Sequence, residues 1–476
     1  VSTPSAPHPA PDPAPHPVDE SRPLSRVMLF GIQHVLVMAA TPISAVFLMS
    51  AVLGFDARLT VNLLSAVFIL SGVGSLLQSL GPWKLGAKLP FVMLPGGAPL
   101  ILFIAIAEQH GPRTATGAVI TTGLFYFLVL PLFARLLRFF PGLVIGTMMV
   151  IVGVNLVKVG ALLVTGRPGE PGFADTHNLL LGFATIAFTI GLYWLFSGIL
   201  RQLAVMLGLI AGTVLAVLLG SADFGVVADG SLVQAPQPLP FGTPEFNLLA
   251  ALPLMLYSIA SMAEATGQTV INAEAVGKKI EPDKDVPKTI RGDAVTSTLG
   301  GFFGLPLMVT SGENIGIVRV TGVRSRFVTV AAGLVLILIG FAAPITRAIS
   351  AVPSAVVGGT AMVVFAVITV LGVQMLARCD LHDQANTFII ATALALGLLP
   401  ILVPGVYEAF PPNARILLES GVAVGATVAA VLNILFHHVR PWLRRRRPGG
   451  TDTDTDTDTD TGRSADADSG AGVPKS

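Results

Sequence analysis

Apolar runs of near-membrane length follow one another along most of the chain. They fall at about 27–53, 60–80, 91–108, 115–135, 140–162, 178–198, 202–220, 247–272, 289–303, 312–322, 327–349, 354–377, 385–404 and 414–438. A helix needs about 20 apolar residues to cross a bilayer, so the pattern predicts about fourteen spans, two of them unusually short. An even number places both termini on one side. Arg440 and Arg444 to Arg447 follow the last run, which marks that side as cytoplasmic, because basic residues concentrate in inner loops. Alternate loops agree: Lys84, Lys88, Arg135, Arg138, Arg201, Lys278, Lys279, Lys284, Lys288 and Arg291 lie on the predicted inner side, whereas the outer loop 221–246 carries Asp223, Asp229 and Glu245 and no Lys or Arg.

Composition sharpens this into a class. Hydrophobic residues make up 53% of the chain and charged residues 12%, about half the charged share of a soluble domain. The expected localisation is the inner (plasma) membrane, multi-pass. One cysteine, Cys379, leaves no intrachain disulfide and no cysteine cluster for a metal. Residues 1–25, rich in Pro, Ala and His, are expected to be a disordered cytoplasmic tail. Residues 440–476 are expected to be a second one, basic and then rich in Thr-Asp repeats.

Two stretches echo each other. Leu89, Pro90 and Gly96 match Leu305, Pro306 and Gly312; Pro141, Val144 and Gly146 match Pro353, Val356 and Gly358. Fourteen spans in two repeats give seven each, and an odd number makes the second repeat enter the membrane inverted. The first echo falls on the two interrupted segments, dense in Pro and Gly. Interrupted segments in corresponding positions point to a binding site, because backbone freed at that depth must be buried or line a cavity.

Polar residues inside these runs supply the candidate chemistry. Glu264 lies mid-segment, with Gln268 one turn on and therefore on the same face. A carboxylate beside a carboxamide suits the edge of a planar heterocycle with alternating C=O and N–H groups. Glu313 and Asn314 lie at the second interrupted segment. Ionisable groups at that depth are costly and are functional by default; the structural alternative is a carboxylate paired with a neighbouring helix. Two carboxylates brought close together would couple protonation to substrate binding. His34 is either a relay or a hydrogen-bonded helix residue. Asp293 and Asn272 read as ties between helices, and Tyr257 and Phe91 as packing, with ring stacking the alternative.

Residues 313–322, ENIGIVRVTG, match the signature of the nucleobase–ascorbate transporter family, and GIQHVL at 31–36 and MAEATG at 262–267 are similar to two of its other motifs. The resemblance covers residues 25–440. It implies an all-α polytopic membrane protein of about fourteen segments in two inverted seven-segment repeats, with short extended segments in spans 3 and 10. It also implies a core domain (26–135, spans 1–4; 247–349, spans 8–11), a gate domain (136–220, spans 5–7; 350–439, spans 12–14), elevator-like movement and a homodimer. Carried over, Glu264, Glu313 and Gln268 would bind the base, Gly312 and Asn314 would shape the site, and Glu264 and His34 would serve proton coupling. LPGGAPL at 94–100 lacks the aromatic that relatives place there. LLQSLG at 76–81 and FFPGLVIGT at 139–147 resemble the purine branch, whereas Glu313 resembles uracil permeases.

The expectation is a proton symporter importing a nucleobase, a purine such as xanthine or urate ahead of uracil, with sodium as the alternative coupling ion. No cofactor, metal or nucleic acid is expected. The chain is not expected to be an enzyme: it has no His-Glu-x-x-His and no phosphate-binding loop of a primary pump. An anion carrier sharing the fold is the rival class. Carboxylates at facing helix N-termini would repel its substrate.

Overall fold

The computed structural model describes residues 16–439 apart from 21–22, 134–140, 167, 170–171, 223, 226–230, 312–316, 319–321, 412–413, 415–417 and 419–420. Eight helical stretches among the described residues are long and apolar enough to cross a membrane, with four shorter apolar helices beside them. The chain is a multi-pass membrane protein.

The first run divides into α1 (Leu24–Met38) and α2 (Ala40–Leu53), followed by α3 (Ala57–Leu80). Asp56 caps the start of α3 by accepting from the Leu59 N–H, and Gly81, at φ +61°, closes its end in the left-handed conformation that glycine adopts without strain. Next come β1 (Val92–Pro95), α4 (Gly97–His110), α5 (Pro112–Val129), α6 (Gly142–Thr165), α7 (Thr176–Leu195) and α8 (Ala204–Leu218). The second half holds α9 (Leu248–Val276), α10 (Pro282–Phe302), β2 (Met308–Ser311), α11 (Phe327–Phe341), α12 (Ala343–Ser350), α13 (Ser354–Leu376), α14 (Gln384–Leu402) and α15 (Gly421–Ile434). The expected run at 289–303 is the later part of α10. That helix stands outside the eight apolar stretches because its first turns carry Asp283, Lys284, Asp285 and Lys288.

Each Pro/Gly-interrupted segment holds a short strand, β1 in the first and β2 in the second. Pro90 and Pro306 precede the strands, and proline disfavours helix in the residue before it. β1 and β2 pair antiparallel, Val92 opposite Ser311 and Pro95 opposite Met308. Side chains meet the backbone groups that so short a ladder leaves over. Ser75 Oγ accepts from Met93 N–H (3.0 Å), and Ser297 Oγ accepts from Met308 N–H (3.0 Å) while donating to the Met308 carbonyl (2.9 Å). Non-helical backbone at membrane depth is tolerated only with such partners.

Helix contact depends on small residues. A Cβ at Gly72 in α3 would stand 2.4 Å from the Gly333 carbonyl of α11, and one at Gly153 in α6 would stand 2.2 Å from Thr369 Oγ1 of α13. The α3–α11 and α6–α13 pairs sit in two packed groups. One contains α3, α11, α1, α5, α9, α10 and the strands; the other contains α6, α13, α7, α8, α14 and α15.

The expectation of disorder throughout residues 1–25 is corrected at 16–20. Val18 is fully buried in a small apolar cluster with Leu89, Phe91, Val276 and Val318. Its N–H donates to His16 Nδ1, so Nε2 carries the ring proton and donates to the Gly277 carbonyl (3.1 Å). Arg326 donates its backbone N–H to the Val18 carbonyl (3.0 Å) and its Nε to Asp19 (2.6 Å). Burial and paired polar groups hold this strap, where composition suggested only a tail.

Candidate functional site

A cavity of about 500 Å³ lies where the strand pair meets the two groups of helices. Residues 94–98 and 309–311 form one wall, α9 a second, and the first half of α6 with the middle and later part of α13 a third. Glu264 and Gln268 both reach it. They are half-buried on one face of α9, and neither side chain makes a hydrogen bond among the described residues. The helix start at Gly97 and Ala98 also lines the cavity; the first N–H groups of a helix have no intrahelical acceptor and favour a carbonyl or anionic oxygen. A Cβ on Gly97 would meet Ile368 Cδ1 at 2.8 Å and Leu156 Cδ1 at 2.9 Å, so glycine lets this end of α4 press against α6 and α13.

LPGGAPL brings no aromatic to the cavity, yet two come from elsewhere. Tyr257 of α9 and Phe365 of α13 line it, each nearly fully buried. The remaining lining is mostly aliphatic, so the few polar groups orient whatever binds. Phe91, by contrast, packs in the Val18 cluster, away from the cavity.

Behind the wall lies a buried polar network that the sequence read only as a tie. Asp293 Oδ1 accepts from Gln78 Nε2 (2.8 Å) and from Thr310 Oγ1 (2.5 Å). Gln78 Nε2 also donates to the Thr289 carbonyl (2.9 Å), and Thr269 Oγ1 donates to Thr289 Oγ1 (3.0 Å). One cluster thereby joins α3, α9, α10 and β2, and it fixes the strand whose Thr310 lines the cavity. Asn272, expected to tie helices together, instead ties α9 to the extended segment, donating to the Pro90 carbonyl (2.8 Å) just ahead of β1. Gln78 is the glutamine of LLQSLG, the stretch similar to the purine branch, whereas Thr310 has no sequence signal beyond being a polar residue in apolar surroundings.

His34 is 1% exposed. Its Nδ1–H donates to the Phe30 carbonyl (2.9 Å), one turn back, and Nε2 has no partner among the described residues. His34 does not line the cavity. Gly312, Glu313 and Asn314 lie outside the described residues. Ser311, the last residue of β2, borders the cavity, and Ile317 and Val318 beyond are buried.

Residues 25–406 match the model of a permease family. The chain is similar to the uric acid permease PucK of Bacillus subtilis, with 31% identity over 87% of this chain and 96% of that protein. It is similar to the xanthine permease of the same organism at 29%, covering 87% and 94%, and to its uracil permease at 28%, covering 78% and 86%. Among solved structures, the transmembrane domain of the cyanobacterial bicarbonate transporter BicA aligns with a TM-score of 0.51 at 18% identity, over 86% of this chain and 97% of that one. The inward-facing murine Solute Carrier 26 family member A9, an anion transporter, aligns with 0.56 at 13% identity, over 87% and 68%. These two likenesses concern the fold alone.

Proposed function

The chain belongs to the nucleobase–ascorbate transporter family, and from that premise we propose that it imports a nucleobase by proton symport. The observation that carries the reading is the pairing of Glu264 with Gln268 on one face of α9 in a cavity that the start of α4 also lines. A base presents N–H donors to the carboxylate, a mixed edge to the carboxamide, and a carbonyl to the helix N–H groups. Tyr257 and Phe365 supply aromatic surface for its ring. Glu313 would be the second carboxylate, with Gly312 and Asn314 shaping that side and His34 serving proton coupling.

A purine, xanthine or urate, is the favoured substrate and uracil the next. The uric acid permease relative aligns over more of this chain, at higher identity, than the uracil permease. The cavity wall from α2, α9 and the strands would belong to a core domain and the wall from α6 and α13 to a gate domain. Core would slide against gate in an elevator-type movement, with the two halves as inverted repeats, fourteen spans, both termini cytoplasmic and a homodimeric assembly. The likeness to anion carriers concerns the fold alone: an ionised Glu264 in the cavity disfavours a small inorganic anion, and urate, itself an anion at neutral pH, would bind with Glu264 protonated, as proton symport requires.

The test is uptake of radiolabelled xanthine, urate, uracil and ascorbate by cells expressing the protein, with and without a protonophore. Accumulation of one base that the protonophore abolishes is the expected result. Protonophore-resistant, sodium-dependent accumulation would replace the proton with sodium. Uptake of none of the four, alongside bicarbonate or chloride flux, would overturn the reading.

A further inference from the structure

A second cavity, of about 830 Å³, lies between α2, α4, α6 and the end of α14 and shares no lining residue with the first. It continues the Glu264 cavity along the same three helices. Ala45, Leu100 and Val152 line the first cavity; Val52, Ile101 and Asn155, further along α2, α4 and α6, line the second. It lies toward the face predicted to be outer. Glu245 of the predicted outer loop pairs there with Arg113 (3.0 Å), three residues past His110 of the cavity lining.

The second cavity is more polar than its depth requires. Lys158 is the one ionisable side chain in the 24 residues of α6, a membrane-spanning helix by length and composition. It stands seven residues, roughly 10 Å, short of the helix end, where an ionisable group is costly and functional by default. Its ammonium donates to the Ile401 carbonyl, a favourable place for a cation, at the last turn of α14. That bond uses one of three N–H donors, and the other two have no hydrogen-bond partner among the described residues. Asn155, one turn earlier and on the same face, makes no hydrogen bond among the described residues. His110 Nε2 is buried and also without a partner among them. A capping role explains Lys158 alone; it leaves the Asn155 amide and the His110 nitrogen unanswered.

Glu108 of α4 and Glu408, just beyond α14, bring carboxylates to the same cavity, and this mixture selects the ligand. A small anion meets the carboxylates and a small cation meets Lys158. A planar solute with carbonyls on one edge and N–H groups on another satisfies both. Its carbonyls accept from Lys158 and the Asn155 amide, and its N–H groups donate to Asn155 Oδ1 and to a carboxylate. Oxopurines and oxopyrimidines present those edges, and the volume lies within the range of small-molecule sites.

We propose that this cavity is a second binding site for the transported base, held by Asn155 and Lys158, from which the base passes to Glu264. The inference rests on the nucleobase reading above.

Equilibrium binding of radiolabelled xanthine, urate and uracil to the purified full-length protein tests it. The wild type should bind two molecules per chain of the base it transports. Asn155→Leu, which leaves the Lys158–Ile401 bond untouched, should bind one, and its uptake KM should rise about two- to tenfold at unchanged maximal rate, the worth of one neutral hydrogen bond. Lys158→Met should lose the same molecule and Lys158→Arg should keep it, and thermal midpoints separate loss of the site from loss of the helix cap. Glu264→Ala should lose the other molecule and keep this one. A single base per chain in the wild type, or two that Asn155→Leu leaves in place, would overturn the proposal and leave the nucleobase reading standing. Loss of both molecules in Asn155→Leu would also overturn it, by making Asn155 a residue of the fold and not of one site. Binding of none of the three bases by the wild type would overturn both.

Discussion

Gln78 and Asp293 stand 215 positions apart in the chain and 2.8 Å apart in the fold. The approach needs a glycine: a Cβ at Gly292 would lie 2.5 Å from Gln78 Nε2. The same amide nitrogen reaches Thr310 Oγ1 (3.0 Å), so one side chain couples α3 and α10 to the strand that borders the cavity. All three side chains are buried, and inside a membrane protein water is a poor substitute for such partners.

Gln78→Leu removes the amide at nearly constant volume and leaves Asp293 with Thr310 as its remaining hydrogen-bond donor. Stranding a buried polar group costs about 1–3 kcal/mol. The thermal midpoint of the detergent-solubilised protein should drop, and base uptake with it. An unchanged midpoint would show that the bond contributes nothing to stability.

Glu264 and Gln268 share a cavity face but not a role. Glu264→Gln should abolish accumulation against a gradient while the protein still reaches the membrane. Gln268→Ala should keep accumulation and raise KM about two- to tenfold, the worth of one neutral hydrogen bond. Quantitative uptake curves for the two variants separate these outcomes. Equal losses of maximal rate in both would mean that the carboxylate has no special part.

At Gly97 the conflict lies with side-chain tips, Ile368 Cδ1 and Leu156 Cδ1, and not with backbone. Gly97→Ala should therefore lower uptake partially, and Ile368→Val, which removes that Cδ1, should restore part of the loss. Gly97→Val, with two further methyl groups, should not be rescued. Failure of Ile368→Val to improve Gly97→Ala would place the role of Gly97 in its backbone flexibility and not in the close approach.

What could be read from the chain was whatever rests on local rules. Proline and glycine forced the two interrupted segments out of helix, and i, i+4 spacing put Glu264 and Gln268 on one face before any coordinates. Thr310 and Phe365 carry no local signal, and Gln78 carries only its place in LLQSLG, for one reason. Their meaning lies in partners on other helices, and hydrophobic periodicity reports which residues are buried, not what they meet. Asp293 was noticed as a tie, but its position in electrostatic range of Glu264 depends on how α5, α9 and α10 pack. The strap at 16–20 was missed because a Pro-rich composition suggests a tail, and one buried valine does not alter composition.

That strap offers a test of how local a docking energy can be. Val18 buries its side chain among Leu89, Phe91, Val276 and Val318, and a fully buried valine contributes about 1.5–3 kcal/mol. Asp19 adds its pair with Arg326, which is partly exposed on the Asp19 side and therefore weaker. Val18→Asp would place a carboxylate in an apolar cluster, but the segment can leave instead of paying the full desolvation cost. The loss should then saturate: Val18→Asp with Asp19→Ala should be no less stable than Val18→Asp alone, a non-additivity expected when two changes release one element. Arg326→Ala should cost more than Asp19→Ala, because Arg326 also donates to the Ser79 carbonyl (2.8 Å) at the end of α3. Thermal midpoints of the four variants and the rate of proteolytic clipping near residue 20 decide the matter. Additive losses would mean that residues 16–20 do not come away as a unit.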